Sequence, residues 1–224
     1  MAFNKTNIEF ADFSWNPITG CKNSCGYCWA KKFNDRYKMQ RNFNIPEFHS
    51  ERLNEKIPKM SKERNYIAAA ISPDKPVIFT VDMGDIFSRG VDVEWIEKVF
   101  DYVYSHQEAN FLFLSKRPQF YFAWNDQIPE NTFIGTSLDY AYNFKRVEYI
   151  RDFGRRKGIR TFVNIEPLMS RMDQVDFSGI DFVVVGALTG RKYRPEPGWH
   201  KSINHPVIYY KKNYQFYFPE LHNQ

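Results

Sequence analysis

Five short apolar runs, each closed by polar residues, constrain this chain more than any other feature. They are PVIFTV (76–81), FLFLS (111–115), TFIGTS (132–137), RTFVNIEP (160–167) and DFVVVG (181–186). A strand with one wet face alternates apolar and polar residues. Continuous runs like these suit strands covered on both faces, as in a parallel sheet flanked by helices. Helical patterns fall between them. Residues 93–105 carry Ile96, Val99, Phe100 and Val103 on one stripe, a short helix is expected near 119–124, and 140–153 carries Phe144, Val147 and Ile150, with Gly154 as its stop. Repeated β–α units of this kind predict a barrel or a doubly wound sheet.

Polar residues recur directly after the strands: Asp82 and Asp85, then Ser115, Lys116 and Arg117, then Thr136 and Ser137, then Asn164 and Glu166, and finally Thr189. Taken singly, each is an ordinary turn or cap residue. In a parallel α/β barrel, however, the loops after the strand C-termini share one face and build the active site. As a series they predict a site, with Asp82, Lys116, Ser137 and Glu166 on one rim. The polar stretches 44–65 and 190–200 read as loops. The expected organisation is a barrel domain over 1–205, with 206–224 as a C-terminal strand and tail packed on it.

All three cysteines, Cys21, Cys25 and Cys28, fall inside GCKNSCGYCWAKKF, at the spacing C-x3-C-x2-C. An odd, clustered set is a poor disulfide framework. The N-terminus MAFNKTNIEFADF has no secretory pattern and no apolar run reaches membrane length, so a cytoplasmic protein with reduced thiols is expected. Zinc normally takes a fourth Cys or His, and the nearest histidine downstream is His49. A [4Fe–4S] cluster on three thiolates would keep one iron open for chemistry. Packed, inert thiols are the bland alternative, and they suit a loop of Gly20, Lys22, Asn23, Ser24 and Gly26 poorly. The segment 29–39 that follows reads as an amphipathic first helix.

This spacing, with Tyr27 before the last cysteine, resembles the signature of the radical S-adenosylmethionine (SAM) superfamily. A wider resemblance is to the phage-associated Gp37/Gp68 family (DUF5131), a radical-SAM-like group. The motifs SWNPITGC, VDMGDIF, FLSKRP, FIGTSLD, NIEPL, VVVGALTGRKYRPEPGW and YYKK carry it in order. The chain departs from that family in reading Gly186-Ala187-Leu188-Thr189-Gly190 where members usually read Gly-Gly-Glu-Ser-Gly, and in its compact first cysteine gap. The resemblance implies a partial parallel (β/α)6 TIM-like barrel with the cluster in the loop after the first strand. It further implies that Cys21, Cys25 and Cys28 ligate a [4Fe–4S] cluster whose fourth iron binds SAM. Met83, Gly84 and Asp85 would receive the SAM amino group, and Lys116 or Arg117 its carboxylate. Ser137 would meet the ribose, Val184 to Gly186 the adenine, and Glu166 the nucleoside or the substrate. Glu166 and Asp85 are the candidate catalytic carboxylates. The implied chemistry is reductive cleavage of SAM and hydrogen-atom abstraction from substrate, with flavodoxin or ferredoxin as electron donor.

Net charge is +5 with an isoelectric point near 9.0, which suits a polyanionic partner. Tracts at 155–160, 190–201 and 209–218 mix cations with aromatics, and Lys192, Arg194, Lys211 and Lys212 are the candidate nucleic-acid contacts. A base in phage DNA, or a nucleotide, is the favoured substrate. Two alternatives stand beside it: a peptide or small metabolite as substrate, and a metal-cluster module that binds nucleic acid without catalysis.

Overall fold

The computed structural model describes residues 3–188 and 194–223. The chain forms two compact units, one of Met1–Ser115 with Trp124–Phe133, the other of Lys116–Ala123 with Ile134–Gln224.

In the first unit, β1 (Phe3–Lys5) pairs antiparallel with β2 (Phe13–Trp15). A two-stranded ribbon follows, β3 (Ile18–Thr19) against a later β4 (Glu47–Phe48), with α1 (Trp29–Tyr37) between them. A 3-10 turn at Ser50–Asn54 and α2 (Tyr66–Ile71) lead into β5 (Val77–Thr80), then α3 (Val93–Ser105) and β6 (Asn110–Ser115). The sheet order is β1-β2-β5-β6, with β2, β5 and β6 parallel. The four residues of β5 are all buried, as expected of a strand covered on both faces. Aromatic rings close the core: Trp15 lies 4.4 Å from Tyr102 and stacks on Phe3 at 5.7 Å. An inward-facing ion pair staples the α2 region to the sheet. Arg64 meets Asp12 at 2.8 Å, and the same Asp12 carboxylate accepts the Val77 amide.

The second unit takes β7 (Thr132–Ser137) from Ile134 onward, α4 (Lys145–Lys157), β8 (Arg160–Ile165), β9 (Phe182–Val185), β10 (Ile208–Tyr210) and α5 (Lys212–Gln215), in sheet order β7-β8-β9-β10. Strands β8, β9 and β10 are parallel. Phe162 and Phe182 stack face to face at 5.3 Å, and an added Cβ on Gly135 would come within 2.3 Å of the Phe162 ring. The C-terminal segment is integral to this unit, since Tyr210, Tyr214, Phe218 and Leu221 are all buried.

The fold is therefore mixed α/β with mostly parallel strands, and each expected run forms a strand. Three sequence expectations change. Segment 44–65 holds β4 and a 3-10 turn rather than only loop. Helix α4 runs through Gly154 and stops at Gly158, whose φ of 73° is the left-handed cap. Gly154 is glycine because strand β8 presses on it: a Cβ there would meet Thr161 Cγ2 at 2.2 Å. Helix α1 buries Ala30 and Asn34, while its aromatics Trp29, Phe33 and Tyr37 face outward, the reverse of an ordinary amphipathic packing. The basic run 155–160 is the charged end of α4, where cations favour the helix dipole.

The two glycines separate in a test. Gly154→Ala should cost about 1–3 kcal/mol through overpacking, and Thr161→Ser, which deletes the offending methyl, should restore most of it. Gly158→Ala should cost about 1 kcal/mol whatever stands at 161, because its strain is in the backbone. Urea melts of the two single variants and the Gly154→Ala/Thr161→Ser pair read both outcomes.

Candidate metal and cofactor site

The cysteine loop follows β3 and is held against the end of β5 by backbone. Gly20 forms a parallel bridge with Gly84, and its amide donates to Met83 O at 2.9 Å. Both positions demand glycine. Gly20 has φ +85°, and a Cβ there would lie 2.7 Å from Ile45 O; a Cβ on Gly84 would lie 2.9 Å from Gly20 O. The motifs GC and MGD, distant in sequence, thus form one element.

Asp85 completes the clamp. Its carboxylate accepts Asn23 Nδ2 at 2.7 Å, Ser115 Oγ at 2.7 Å and the Phe87 amide at 3.0 Å, and the residue is buried. Lys22 donates its amide to Ser88 Oγ at 2.8 Å, a further tie. Asn16 does the same for the neighbouring turn. Its side chain donates to Asp82 and accepts the Met83 amide at 2.8 Å, while its carbonyl accepts from Arg52. Asn16, Asn23 and Ser88 were not among the expected site residues. Their signal in the sequence is only a polar residue next to a motif, which any turn also shows.

The three cysteines form no disulfide and are half-buried. Cys21 and Cys28 pack against one apolar cluster of Ala30, Phe43 and Met83. Two of the sulfurs already accept backbone amides: Cys21 Sγ from Asn23 at 3.4 Å, and Cys28 Sγ, which caps the N-terminus of α1, from Lys31 at 3.3 Å. Amides aimed at sulfur favour the thiolate and tune an iron–sulfur centre. Burial first, then the nearby Asp85 charge, push the Cys21 thiol up to about 11. That thiol stays protonated at neutral pH unless a cation takes the proton's place. Among the described residues no three His, Cys, Asp or Glu side chains converge tightly enough to grip a single metal ion. The donor set fits a cluster in its chemistry: three thiols on one loop, an apolar wall and amides directed at sulfur.

In the second unit the expected residues follow their strand ends but have other partners. Lys211 Nζ meets both carboxylate oxygens of Glu166 at 2.8 Å, and Asn213 Nδ2 adds a bond at 3.2 Å while also pairing with the Ala187 backbone. Lys211, expected to contact nucleic acid, is therefore committed to Glu166 and only 11% exposed. Gly186 makes room for this pair, since a Cβ there would stand 2.7 Å from Glu166 Cδ. Lys116 faces Asp139 at 3.8 Å, and Arg146 faces the same carboxylate at 3.5 Å. Arg117 lies over the Phe120 ring at 4.2 Å. Ser137, buried at the end of β7, accepts Arg146 at its carbonyl, and the Val184 side chain is fully buried within β9. Arg194 lies 5.9 Å from the Phe218 ring, Lys212 is exposed at the start of α5, and Lys192 and Thr189 lie outside the described residues. Two buried polar atoms at strand C-terminal ends meet no hydrogen-bond partner, Thr80 Oγ1 on β5 and Asn164 Oδ1 on β8. Such orphans are what a small polar ligand would satisfy.

The chain is a mostly parallel α/β protein whose first unit carries a cysteine loop fastened to the end of β5. Its fold is similar to solved structures of spore photoproduct lyase. A double mutant with bound AdoMet and dinucleoside spore photoproduct aligns with a TM-score of 0.57 at 11% identity, covering 97% of this chain and 64% of that one. The lyase complexed with dinucleoside spore photoproduct aligns with a TM-score of 0.55 at 12% identity over the same shares. The chain thus spans about two-thirds of the length of those structures. No curated protein sequence matches it. The chain belongs to the DUF5131 family, described as a protein of unknown function, whose model matches residues 5–221. Among the described residues no helix is long and apolar enough to cross a membrane.

Asp82 offers a pH test of this site. Burial outweighs its bonds to Asn16 and Met83 and lifts the carboxyl to about 6, against an ordinary 3.8. Below about pH 4 the native and unfolded chains both hold the proton and no cost arises. Between about 4 and 6 only the unfolded chain ionises, so stability is lost as pH rises and the loss is complete above 6, at most about 2–3 kcal/mol. Asp82→Asn should leave the melting midpoint unchanged near pH 4 and raise it at pH 7.5.

Proposed function

We propose that this chain is a radical SAM enzyme, with Cys21, Cys25 and Cys28 holding a [4Fe–4S] cluster and the substrate a nucleic-acid base or nucleotide. The observation that carries the reading is the cysteine loop itself. Three thiols at C-x3-C-x2-C share an apolar wall, two of them already accept backbone amides, and the loop is bolted by glycine contact to the end of β5. The likeness in fold to a lyase solved with AdoMet and a dinucleoside photoproduct supports both the cofactor and the substrate class. When bound, the cluster and SAM supply one-electron cleavage of a sulfonium C–S bond and hydrogen-atom abstraction from substrate.

The chain's own residues position and shield. Asp85 holds the loop through Asn23, so its part is to fix the cysteines rather than to exchange protons. Met83 seals the inner wall behind Cys21 and Cys28, and the Gly84 backbone approaches closely because no side chain intervenes. Thr80 in the first unit and Asn164 in the second each keep an unsatisfied polar atom, and the SAM contacts read from the sequence are Lys116, Arg117, Ser137 and Val184–Gly186. Glu166, oriented by Lys211 and Asn213, is the candidate group toward nucleoside or substrate. Arg194, Lys192 and Lys212 supply cations for phosphate. A partial parallel (β/α)6 TIM-like barrel, a cytoplasmic location, phage DNA as the source of the base, and flavodoxin or ferredoxin as reductant complete the proposal.

Anaerobically purified protein should carry about four iron and four sulfide per chain, and after reduction should convert SAM to methionine and 5′-deoxyadenosine. Alanine at any one of the three cysteines should abolish colour and cleavage together. Stoichiometric zinc without iron, or a reconstituted cluster that leaves SAM intact, would overturn the reading. Asp85→Ala should reconstitute poorly although it removes no ligand, because the loop loses its Asn23 anchor.

A further inference from the structure

Helix α1 begins at the third cysteine and carries an aromatic ladder on its outer face. Trp29, Phe33 and Tyr37 are 46, 41 and 56% exposed, whereas Ala30 and Asn34, which flank the ladder on one side, are buried. The rings stand in sequence, with centroids 6.4 Å apart from Trp29 to Phe33 and 4.5 Å from Phe33 to Tyr37. At about 100° per residue, Lys32 and Arg36 fall beside this ladder on its solvent side. Both are exposed, and the Arg36 guanidinium lies 5.4 Å from the Tyr37 ring centroid. Asp35, the helix's one acidic residue, turns about 120° or more away. Large apolar side chains are costly to leave in water, so a row of three on one helix face marks a contact surface.

We infer that this face binds single-stranded nucleic acid, with bases stacked on Trp29, Phe33 and Tyr37 and phosphates paired with Lys32 and Arg36. The charge selects a polyanion. Lysine is depleted in the cores of protein interfaces because its ammonium must be desolvated there, whereas beside phosphates it releases counterions. Ring faces select an unpaired strand, since a duplex hides the faces of its bases and a single strand offers them. Cys28 caps the same helix, so a strand lying on the ladder runs alongside the cysteine loop. None of these residues belongs to the C-terminal cation tracts. The inference deepens the nucleic-acid reading above and rests on it for the choice of substrate, but the binding itself needs neither cluster nor SAM.

The test is fluorescence anisotropy of labelled oligothymidylate with metal-free protein, beside a labelled duplex of equal length. The single strand should bind more tightly. Trp29→Ala/Phe33→Ala/Tyr37→Ala should weaken it at least about 30-fold, given stacking on three rings. Lys32→Ala/Arg36→Ala should reduce the slope of log affinity against log salt by about 1.4, two phosphates at roughly 0.7 each. Trp29→Phe/Tyr37→Phe keeps the ladder and should stay within about threefold of the parent, which reads the stacking even if the triple variant fails to fold. Parental affinity in a triple variant that melts normally, or equal affinity for the duplex, overturns the inference. So does a face that takes an acidic protein and no oligonucleotide. A wild-type chain that binds the strand yet yields no 5′-deoxyadenosine supports the face and removes the catalytic reading; one that cleaves SAM yet binds no strand removes the face alone.

Discussion

The contact between Gly20 and Gly84 is the constraint on which the candidate site depends. Two backbones meet where no Cβ could fit, and the meeting fastens the cysteine loop to the end of a buried parallel strand. A loop of polar and small residues has little apolar surface with which to order itself, so its geometry must be borrowed from a rigid neighbour. Here the neighbour is β5, whose four residues are all buried. Asp85 then extends the grip through three hydrogen bonds reaching Asn23, Ser115 and Phe87. The carboxylate that resembles a cofactor ligand in the sequence is, in the fold, the anchor of the cysteine loop.

A similar redirection occurs in the second unit. Glu166 and Lys211 read in the sequence as a candidate catalytic carboxylate and a nucleic-acid contact, 45 residues apart. The parallel pairing of β8, β9 and β10 brings the ends of their strands into line, and the two charges meet there at 2.8 Å. A half-buried lysine bridging both oxygens of one carboxylate orients it, and Gly186 keeps the space open. In the same unit, Asn164 Oδ1 near the end of β8 is satisfied by no protein group.

Helix α1 shows how patterning can be right in period and reversed in direction. Its aromatics recur at helical spacing, which ordinarily implies a face turned to the core. The loop geometry instead spends the inward face on Ala30 and on Asn34, whose side chain bonds the Gln40 backbone at 2.9 and 3.2 Å. A small residue lets the cysteine loop sit close, and the aromatics are left to the solvent side. Periodicity reports that a stripe exists; only packing decides what it faces.

The sequence by itself determined strands β5 to β9, because burial on both faces demands unbroken apolar runs and few other arrangements do. It also determined the cysteine spacing, which is local chemistry on one loop. Gly154 and Gly158 mark where it fell short. A glycine that ends a helix and one that admits a neighbouring strand look alike in a linear chain; the left-handed backbone of Gly158 and the Thr161 methyl against Gly154 tell them apart. The partners of Asp85 and Glu166 were likewise beyond it, since Asn23, Ser115, Lys211 and Asn213 lie 30 to 62 residues away in sequence. Short-range patterns record what each segment buries, and therefore which elements form. Which charged groups meet depends on strand order and register, and these exist only once the sheet is assembled.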